Sequence, residues 1–429
     1  MPVSSGQVSD RDLDIVVFGA TGVTGRRVAS YLAGRAAETD VRWAAAARDG
    51  DKVTRLLAGA GVSAPETIIA DISDPGSLAA MAARARVVLN LVGPYTLYGR
   101  PVIEACVASG AHYADLTGEI PFVRRTIDEF DSRAVAAAVK IVQVCGFEAL
   151  PADLVTLLAC EAALERFGEG LQAVDLEVSM KPPGGLPRPS DGISGGTFQS
   201  ISALVGDEDA ALATDPAALI IDPAAGATVR RVSPITLTPR RGSGGAVIAP
   251  MAPAPFINPA VIQRTAALIA SDDGRPARPF RYREGMVLGG SAASLPARWG
   301  VAGALSATQT GLRGLAGASP ALRRRVASAL ERIGPASGFG PAEDRLEGWE
   351  WTMSVSARTV GGNDIGAHVH AHGHPGYLAT ARMLGEAGML LAQEGATPDR
   401  AGCLTPAAAL GTAHVDRFER ARLRFSVDA

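Results

Sequence analysis

Three glycines at three-residue spacing, Gly19, Gly22 and Gly25, follow the apolar run Ile15-Val16-Val17-Phe18 and enclose Ala20, Thr21, Val23 and Thr24. A strand running straight into such a turn and then into a helix presents free amides and the positive helix end to an anion. Gly19 permits the tight turn, Gly22 leaves room for a pyrophosphate against the backbone, and Gly25 lets the helix pack on the strand. The motif predicts that residues 19–25 bind a dinucleotide. The second apolar run ends Ala46-Ala47-Arg48, with no carboxylate to hold a ribose 2′-hydroxyl. Arg48 offers instead a guanidinium fork suited to a 2′-phosphate, with Lys52 one helical turn on. NADP(H) is therefore the expected cofactor, ahead of NAD(H). The alternative is a solvated Arg48 partnered by Asp49 or Asp51. Asp71, closing the third run, suits either the adenine amine or the N-cap of the next helix. Asn90, Gly93 and Pro94 follow the fourth run, where ribose and nicotinamide should lie.

A nicotinamide brings hydride transfer, so the protein must orient a substrate and handle one proton. No lysine stands four residues after any tyrosine, which removes the Tyr-x-x-x-Lys pair as proton donor. Tyr95 and Tyr98, just past the fourth strand, are the preferred catalytic residues, because strand C-termini face the ligand crevice. Tyr113, Asp115 and Glu119 surround the fifth strand in the same way. Each has a structural alternative: a packed ring with a wet hydroxyl for the tyrosines, a helix cap for Glu119.

Four of the six histidines, His368, His370, His372 and His374, recur every second residue. That period places them on one face of a strand, spread over about 20 Å at ~3.3 Å per residue. Such a spread does not make one metal site, and no metal is expected. The stretch 286–333 combines an uncharged, small-residue run (299–312) with Arg313, Arg323, Arg324, Arg325 and Arg332. It reads as an ordinary surface helix, with peripheral contact to an anionic membrane or a lipid-carrying partner as the alternative.

The elements that must position these groups alternate regularly at first. Apolar strand-like runs at 15–20, 41–47, 67–70, 87–92, 113–116 and 141–144 are separated by helical patterns at 25–34, 51–58, 76–84, 100–109 and 122–139. Near-continuous apolar strands between helices describe a doubly wound parallel sheet of Rossmann type. A helix at 152–167 leads to longer strand patterns at 173–181, 231–238, 246–252, 280–288 and 349–360, with helices at 259–271 and 319–333. This second region reads as α+β with mainly antiparallel strands. The expected organisation is a dinucleotide-binding domain at 1–154, a substrate and dimerisation domain at 155–374, and a helical segment at 375–429, with helices at 376–394 and 406–422, returning to the first domain.

The chain of 429 residues carries 41 basic and 44 acidic side chains, a net charge of −3, which argues against nucleic acid as a partner. Hydrophobic residues make up 47%, enough for packed cores and against disorder. The four cysteines, Cys106, Cys145, Cys160 and Cys403, show no framework spacing and read as buried thiols of a reducing cytoplasm. The polar N-terminal residues show no secretion signal, and no apolar run is long enough to span a bilayer. A cytoplasmic protein, with peripheral membrane contact left open, is expected.

The chain resembles the saccharopine dehydrogenase-like oxidoreductases. The resemblance is carried by residues 19–25, Arg48, Asn90-Leu-Val-Gly-Pro-Tyr95 with Gly99, Tyr113-Ala-Asp-Leu-Thr-Gly-Glu119, and Cys145-Gly-Phe-Glu-Ala-Leu-Pro-Ala-Asp-Leu154. Ser194-Gly-Gly-Thr197, Pro375-Gly-Tyr377 with Thr380-Ala-Arg-Met383, and Leu404-Thr-Pro-Ala-Ala-Ala-Leu-Gly411 extend it, while about 205–345 carries little of it. Within the family the likeness is to actinobacterial trans-acting enoyl reductases. Glu148-Ala149 departs from the pattern, standing where Asp-Ser is common. The resemblance implies an NADPH-dependent reductase that works with a polyketide synthase and saturates a double bond in a lipid precursor. The substrate would be a hydrophobic small molecule or a carrier-bound lipid. Two other readings stay open: an imine or ketone reductase of saccharopine dehydrogenase type, and a non-catalytic NADP-binding scaffold associated with lipid. A homodimer is also left open.

Overall fold

The computed structural model describes residues 11–62, 66–184, 195–272, 274, 278–289, 294–333 and 343–429. Its first half is an alternation of strand and helix: β1 (Leu13–Phe18), α1 (Val23–Ala36), β2 (Trp43–Ala47), α2 (Gly50–Gly59), β3 (Thr67–Ile69), α3 (Pro75–Arg84), β4 (Ala85–Asn90), α4 (Tyr95–Ser109), β5 (His112–Asp115), α5 (Ile120–Ala136) and β6 (Lys140–Val142). Trp43 and the four alanines of β2 are all buried, as a strand covered on both faces requires. Asp49 caps α2 through the Lys52 amide, and Asp74 caps α3 through the amides of Gly76 and Ser77.

The second half begins with α6 (Leu150–Phe167) and β7 (Leu171–Lys181), followed by α7 (Gly195–Gly206), α8 (Pro223–Val232), β8 (Arg240–Arg241), β9 (Val247–Ala249), α9 (Asn258–Asp272), β10 (Arg281–Leu288), α10 (Leu295–Ala316), α11 (Pro320–Ile333), β11 (Glu350–Thr359) and β12 (Asp364–His372). The chain closes with α12 (Thr380–Ala392), β13 (Gly402–Leu404), α13 (Pro406–Leu410) and β14 (Leu423–Val427).

The strands form two seven-stranded sheets. The first runs β13-β6-β5-β4-β1-β2-β3, and every pairing in it is parallel. Its order reverses direction at β1 and β4, the switch point where doubly wound sheets bind ligands. Helices α1, α2 and α12 lie together over one face; α3, α4 and α5 cover the other. The second sheet runs β14-β12-β11-β7-β10-β9-β8, antiparallel except for the β7–β10 pair. Helix α6, buried along most of its length, packs on β11 and β12, so one apolar core runs from the first sheet into the second.

Several expectations are corrected. Residues 231–238 form no strand: Asp222 caps a helix that ends at Val232, and the alternation beyond it buries Ile235 and Leu237 from an extended segment without a ladder. Residues 406–422 are not one helix. The α13 helix stops after five residues, a 3-10 stretch covers Val415–Ala421, and β14 follows. Neither β13 nor β14 was legible as a strand. The four histidines do not share one face: His368, His370 and His372 lie on β12, whereas His374 lies beyond the strand, buried between Trp349 and Tyr377. Among the described residues no group of three or more His, Cys, Asp or Glu could hold a metal. The motif at 194–197 and the turn before it lie outside the described residues or their side chains.

Candidate active site

The glycine turn lies at the C-terminal end of β1. Gly19 takes a positive φ of 90°, and a β-carbon there would meet Val92 Cγ2 at 2.9 Å and the Leu91 carbonyl carbon at 3.0 Å. A β-carbon on Gly22 would lie 3.3 Å from the Gly19 carbonyl oxygen, and one on Gly25 would overlap the same oxygen. No side chain is tolerated where the turn meets the β4 loop and the helix start. Gly22 is the N-cap of α1 but supplies no side-chain acceptor, and the first turn holds no acid. The opening amides of α1 are thus unspent, in a cradle shaped for backbone contact with an anion.

Arg48 is exposed at the end of β2 and forms no ion pair among the described residues, since Asp49 is engaged in capping α2. Asp71, at the end of β3, feels the charge of Arg48 and accepts hydrogen bonds from the Ser73 amide (2.8 Å) and hydroxyl (2.7 Å). These contacts hold its carboxyl below the ordinary range. The cap of α3 is Asp74, which corrects one of the two readings of Asp71.

A polar chain crosses the ends of β4, β5 and β6. Asn90 Nδ2 donates to the Tyr113 hydroxyl at 3.0 Å, which donates to Asp115 Oδ2 at 2.8 Å. Asp115 Oδ1 accepts from the amides of Thr117 (3.0 Å) and Val144 (3.2 Å). All three side chains are fully buried, and burial pushes the Asp115 carboxyl up to about 7. Tyr95 is also buried; its hydroxyl donates to the Asn90 carbonyl at 3.3 Å and accepts from the Leu116 amide at 3.4 Å. Burial drives both phenols well above their ordinary value. Tyr98 differs: it is 40% exposed, and its hydroxyl has no partner among the described residues.

Helix α4 starts at Tyr95, five residues earlier than its sequence pattern suggests, directly after a cis Gly93–Pro94 peptide. Its first amides are satisfied from outside. Glu119 Oε1 accepts from Tyr95 N at 3.1 Å and Glu119 Oε2 from Thr96 N at 2.7 Å. The Glu119 carboxylate therefore caps the preceding helix; the residue also stands at the N-cap position of α5 but makes no side-chain bond to it.

The crevice above these strand ends is closed on one side by the second half of the chain. A β-carbon on Gly118 would touch Ile257 Cδ1 at 2.9 Å. Asp153, on α6, accepts from Thr265 Oγ1 of α9 at 2.6 Å and from Ala407 N of α13 at 2.8 Å. That one carboxyl, pushed up to about 7 by burial, ties three separate elements beneath the site.

Comparison with known proteins gives this geometry a context. Residues 15–142 match the family described as saccharopine dehydrogenase NADP binding domain. A putative trans-acting enoyl reductase of Mycobacterium tuberculosis is 36% identical over 430 residues, spanning 96% of each chain. The chain belongs to the family of trans-acting enoyl reductases. A trans-acting enoyl reductase of Mycobacterium leprae is 34% identical over 440 residues, again 96% of each chain. Apo saccharopine dehydrogenase (L-Glu forming) from Saccharomyces cerevisiae shares the fold over 97% of this chain and 100% of its own, with 12% identity and a TM-score of 0.50. The protein is accordingly an NADP-dependent oxidoreductase with a saccharopine dehydrogenase-like fold. In this family member the sequence pointed to the glycine turn, Arg48 and the tyrosines. It did not reveal the Glu119 cap or the Asp153 tie, because each joins residues distant along the chain.

Proposed function

We propose that this protein saturates the carbon–carbon double bond of an enoyl thioester with NADPH. The observation that carries the reading is the uncapped glycine cradle at the β1–α1 turn, in a chain alike along 96% of its length to proteins named trans-acting enoyl reductases. The amides of residues 19–25 would hold the pyrophosphate, Arg48 the 2′-phosphate and Asp71 the adenine amine. Asn90, Gly93 and Pro94 would border the ribose and nicotinamide. When bound, the reduced nicotinamide supplies a hydride to the β-carbon. Charge then builds on the thioester oxygen, and a fixed donor lowers the cost of that charge. Tyr98, with an unspent hydroxyl at the start of α4, is assigned that role. Tyr95 and Tyr113 fix the strand ends as positioning residues.

A carrier-bound substrate fits a second feature. A cavity of about 660 Å³ lies between α1, α2 and the Pro375–Ala379 turn, bordered by Arg26, Arg27, Tyr31, Arg55, Glu343 and Arg382. Arg27 pairs with Glu343 and Arg382 with Glu347, whereas Arg26 and Arg55 have no acidic partner among the described residues. The surplus positive charge suits the acidic surface of a polyketide synthase carrier domain. Peripheral membrane contact is assigned to α10, which buries only Ala302 and Gln309 and exposes Leu295, Val301 and Leu312. Co-sedimentation with anionic vesicles tests that assignment, and sedimentation velocity tests the same surface as a homodimer contact.

The deciding experiment offers enoyl thioesters, keto thioesters and keto acid–amine mixtures with NADPH. Cofactor oxidation with the enoyl class alone is expected; turnover of the imine-forming mixture in its place would refute the proposal.

A further inference from the structure

We infer that Glu148, on the loop between β6 and α6, is the acid that protonates the α-carbon of the reduced substrate. This role rests on the enoyl reading above. The inference starts from elimination among the titratable groups at the ends of β4, β5 and β6. Asp115 is consumed by Tyr113 and two amides, Glu119 by the first amides of α4, and Tyr95 and Tyr113 by bonds within the polar chain. The Cys145 thiol is buried, bonded to the Val142 carbonyl and pushed far up by its surroundings. Tyr98 is left as an oxygen-facing donor, and Glu148 as a carboxyl acid.

The geometry at Glu148 favours the role. Its side chain bends back over Gly146, where a β-carbon would stand 3.0 Å from Glu148 Oε2, 3.4 Å from Leu116 Cδ2 and 3.5 Å from Thr380 Cγ2. The carboxyl thus sits at the meeting of the β5 end, the β6 end and the start of α12. The loop beneath it is held by two contacts. Phe147 N donates to Thr380 Oγ1 at 3.0 Å, and the Phe147 ring meets Trp351 edge-on at 5.0 Å. Glu148 itself is half-buried, and among the described residues the only hydrogen bond to its carboxylate comes from its own amide. Burial raises its proton affinity, and no charged side chain acts against that rise. A half-buried carboxyl with no ionic partner among the described residues holds its proton more tightly than an exposed one and can still exchange it with water.

The step balances as follows. Hydride added at the β-carbon leaves an electron pair shared between the α-carbon and the thioester oxygen. The Glu148 O–H bond breaks as the α-carbon–hydrogen bond forms, and the resulting carboxylate takes its next proton from solvent. The substrate gains hydride and proton, and NADPH becomes NADP+.

The test compares the full-length protein with its Glu148→Gln and Glu148→Asp variants, using NADPH and a short enoyl thioester. Glu148→Gln is expected to lower kcat by roughly 100-fold or more, to leave NADPH affinity by calorimetry unchanged, and to be partly rescued by Glu148→Asp. In deuterated water the unaltered enzyme should place one deuterium at the α-carbon in a single configuration, whereas Glu148→Gln should give both. Carboxyl 13C NMR of the substrate-free protein, assigned by the variant, should show Glu148 titrating above the ordinary carboxylate range. Retained kcat and stereochemistry in Glu148→Gln would overturn the role alone, as would an ordinary midpoint. Absence of enoyl turnover in the unaltered protein would instead remove the reaction reading, and this role with it.

Discussion

The carboxylate of Glu119 accepts the amide of Tyr95 at 3.1 Å, so a residue at the end of the β5 loop determines where helix α4 begins. With Thr96 held at 2.7 Å by the other oxygen, one carboxylate satisfies two helix-start amides, the first bond buried and the second partly so. Removing the acceptor leaves two helix-start amides unsatisfied. Glu119→Ala should destabilise the protein by about 2–4 kcal/mol, measured by urea unfolding. Glu119→Gln, which keeps one acceptor oxygen, should lose about half as much.

Arg48 stands exposed at the end of β2 and forms no ion pair among the described residues. Arg48→Ala should weaken NADPH binding by about 10- to 100-fold, or ~1.4–2.8 kcal/mol, while leaving NADH affinity within a factor of two or so. Calorimetric titration with both cofactors checks this. An equal loss for the two would place the 2′-phosphate elsewhere.

Asp153 gives a pH signature. Its folded pKa, pushed up to about 7, lies above the unfolded value of about 4. The folded state therefore binds the extra proton between these limits. The stability this confers is complete below about pH 4 and is lost as pH rises through about 7. Asp153→Asn cannot ionise, so its stability relative to the unaltered protein should improve between pH 4 and 7, by on the order of 1 kcal/mol per pH unit, and level off above. Asp153→Ala, which leaves the Ala407 amide and Thr265 hydroxyl without their acceptor, should be less stable throughout.

Arg55 borders the basic cavity between α1 and α2. Arg55→Glu should raise KM for a carrier-bound enoyl substrate several-fold and flatten the fall in KM that low salt gives the unaltered protein, with little change for a small free thioester. Steady-state kinetics on the two substrate forms, at two ionic strengths, separates these outcomes.

What the sequence disclosed follows physical range. The glycine turn, strands β1 to β6 of the first sheet and the helices between them are specified by neighbours a few residues apart, and their existence was legible. Contacts across the chain were not. The pattern of α4 read as starting near residue 100 because its first turn is completed by Glu119, 24 positions after Tyr95. Asp71 reads as a cap of the next helix because an aspartate suits that place by type, and only the geometry of the turn gives the cap to Asp74. The tail read as helix because Gly402–Leu404 and Leu423–Val427 are too short to show a period of their own, and become strands through β6 and β12. At the candidate site, the same limit hid Glu148, whose lack of an ionic partner among the described residues is a fact of the folded environment rather than of its neighbours in sequence.

The last two strands have a consequence for biosynthesis. Residues 402–404 complete the edge of the cofactor-binding sheet beside β6, and residues 423–427 complete the edge of the other beside β12. The first layer reaches its final width only once residue 404 has been made, and the second only once residue 427 has. A ribosome stalled or a protease cutting before residue 402 would release a polypeptide with two raw borders, each inviting association with another unfinished copy. Such a cell would carry aggregation in place of a half-working catalyst.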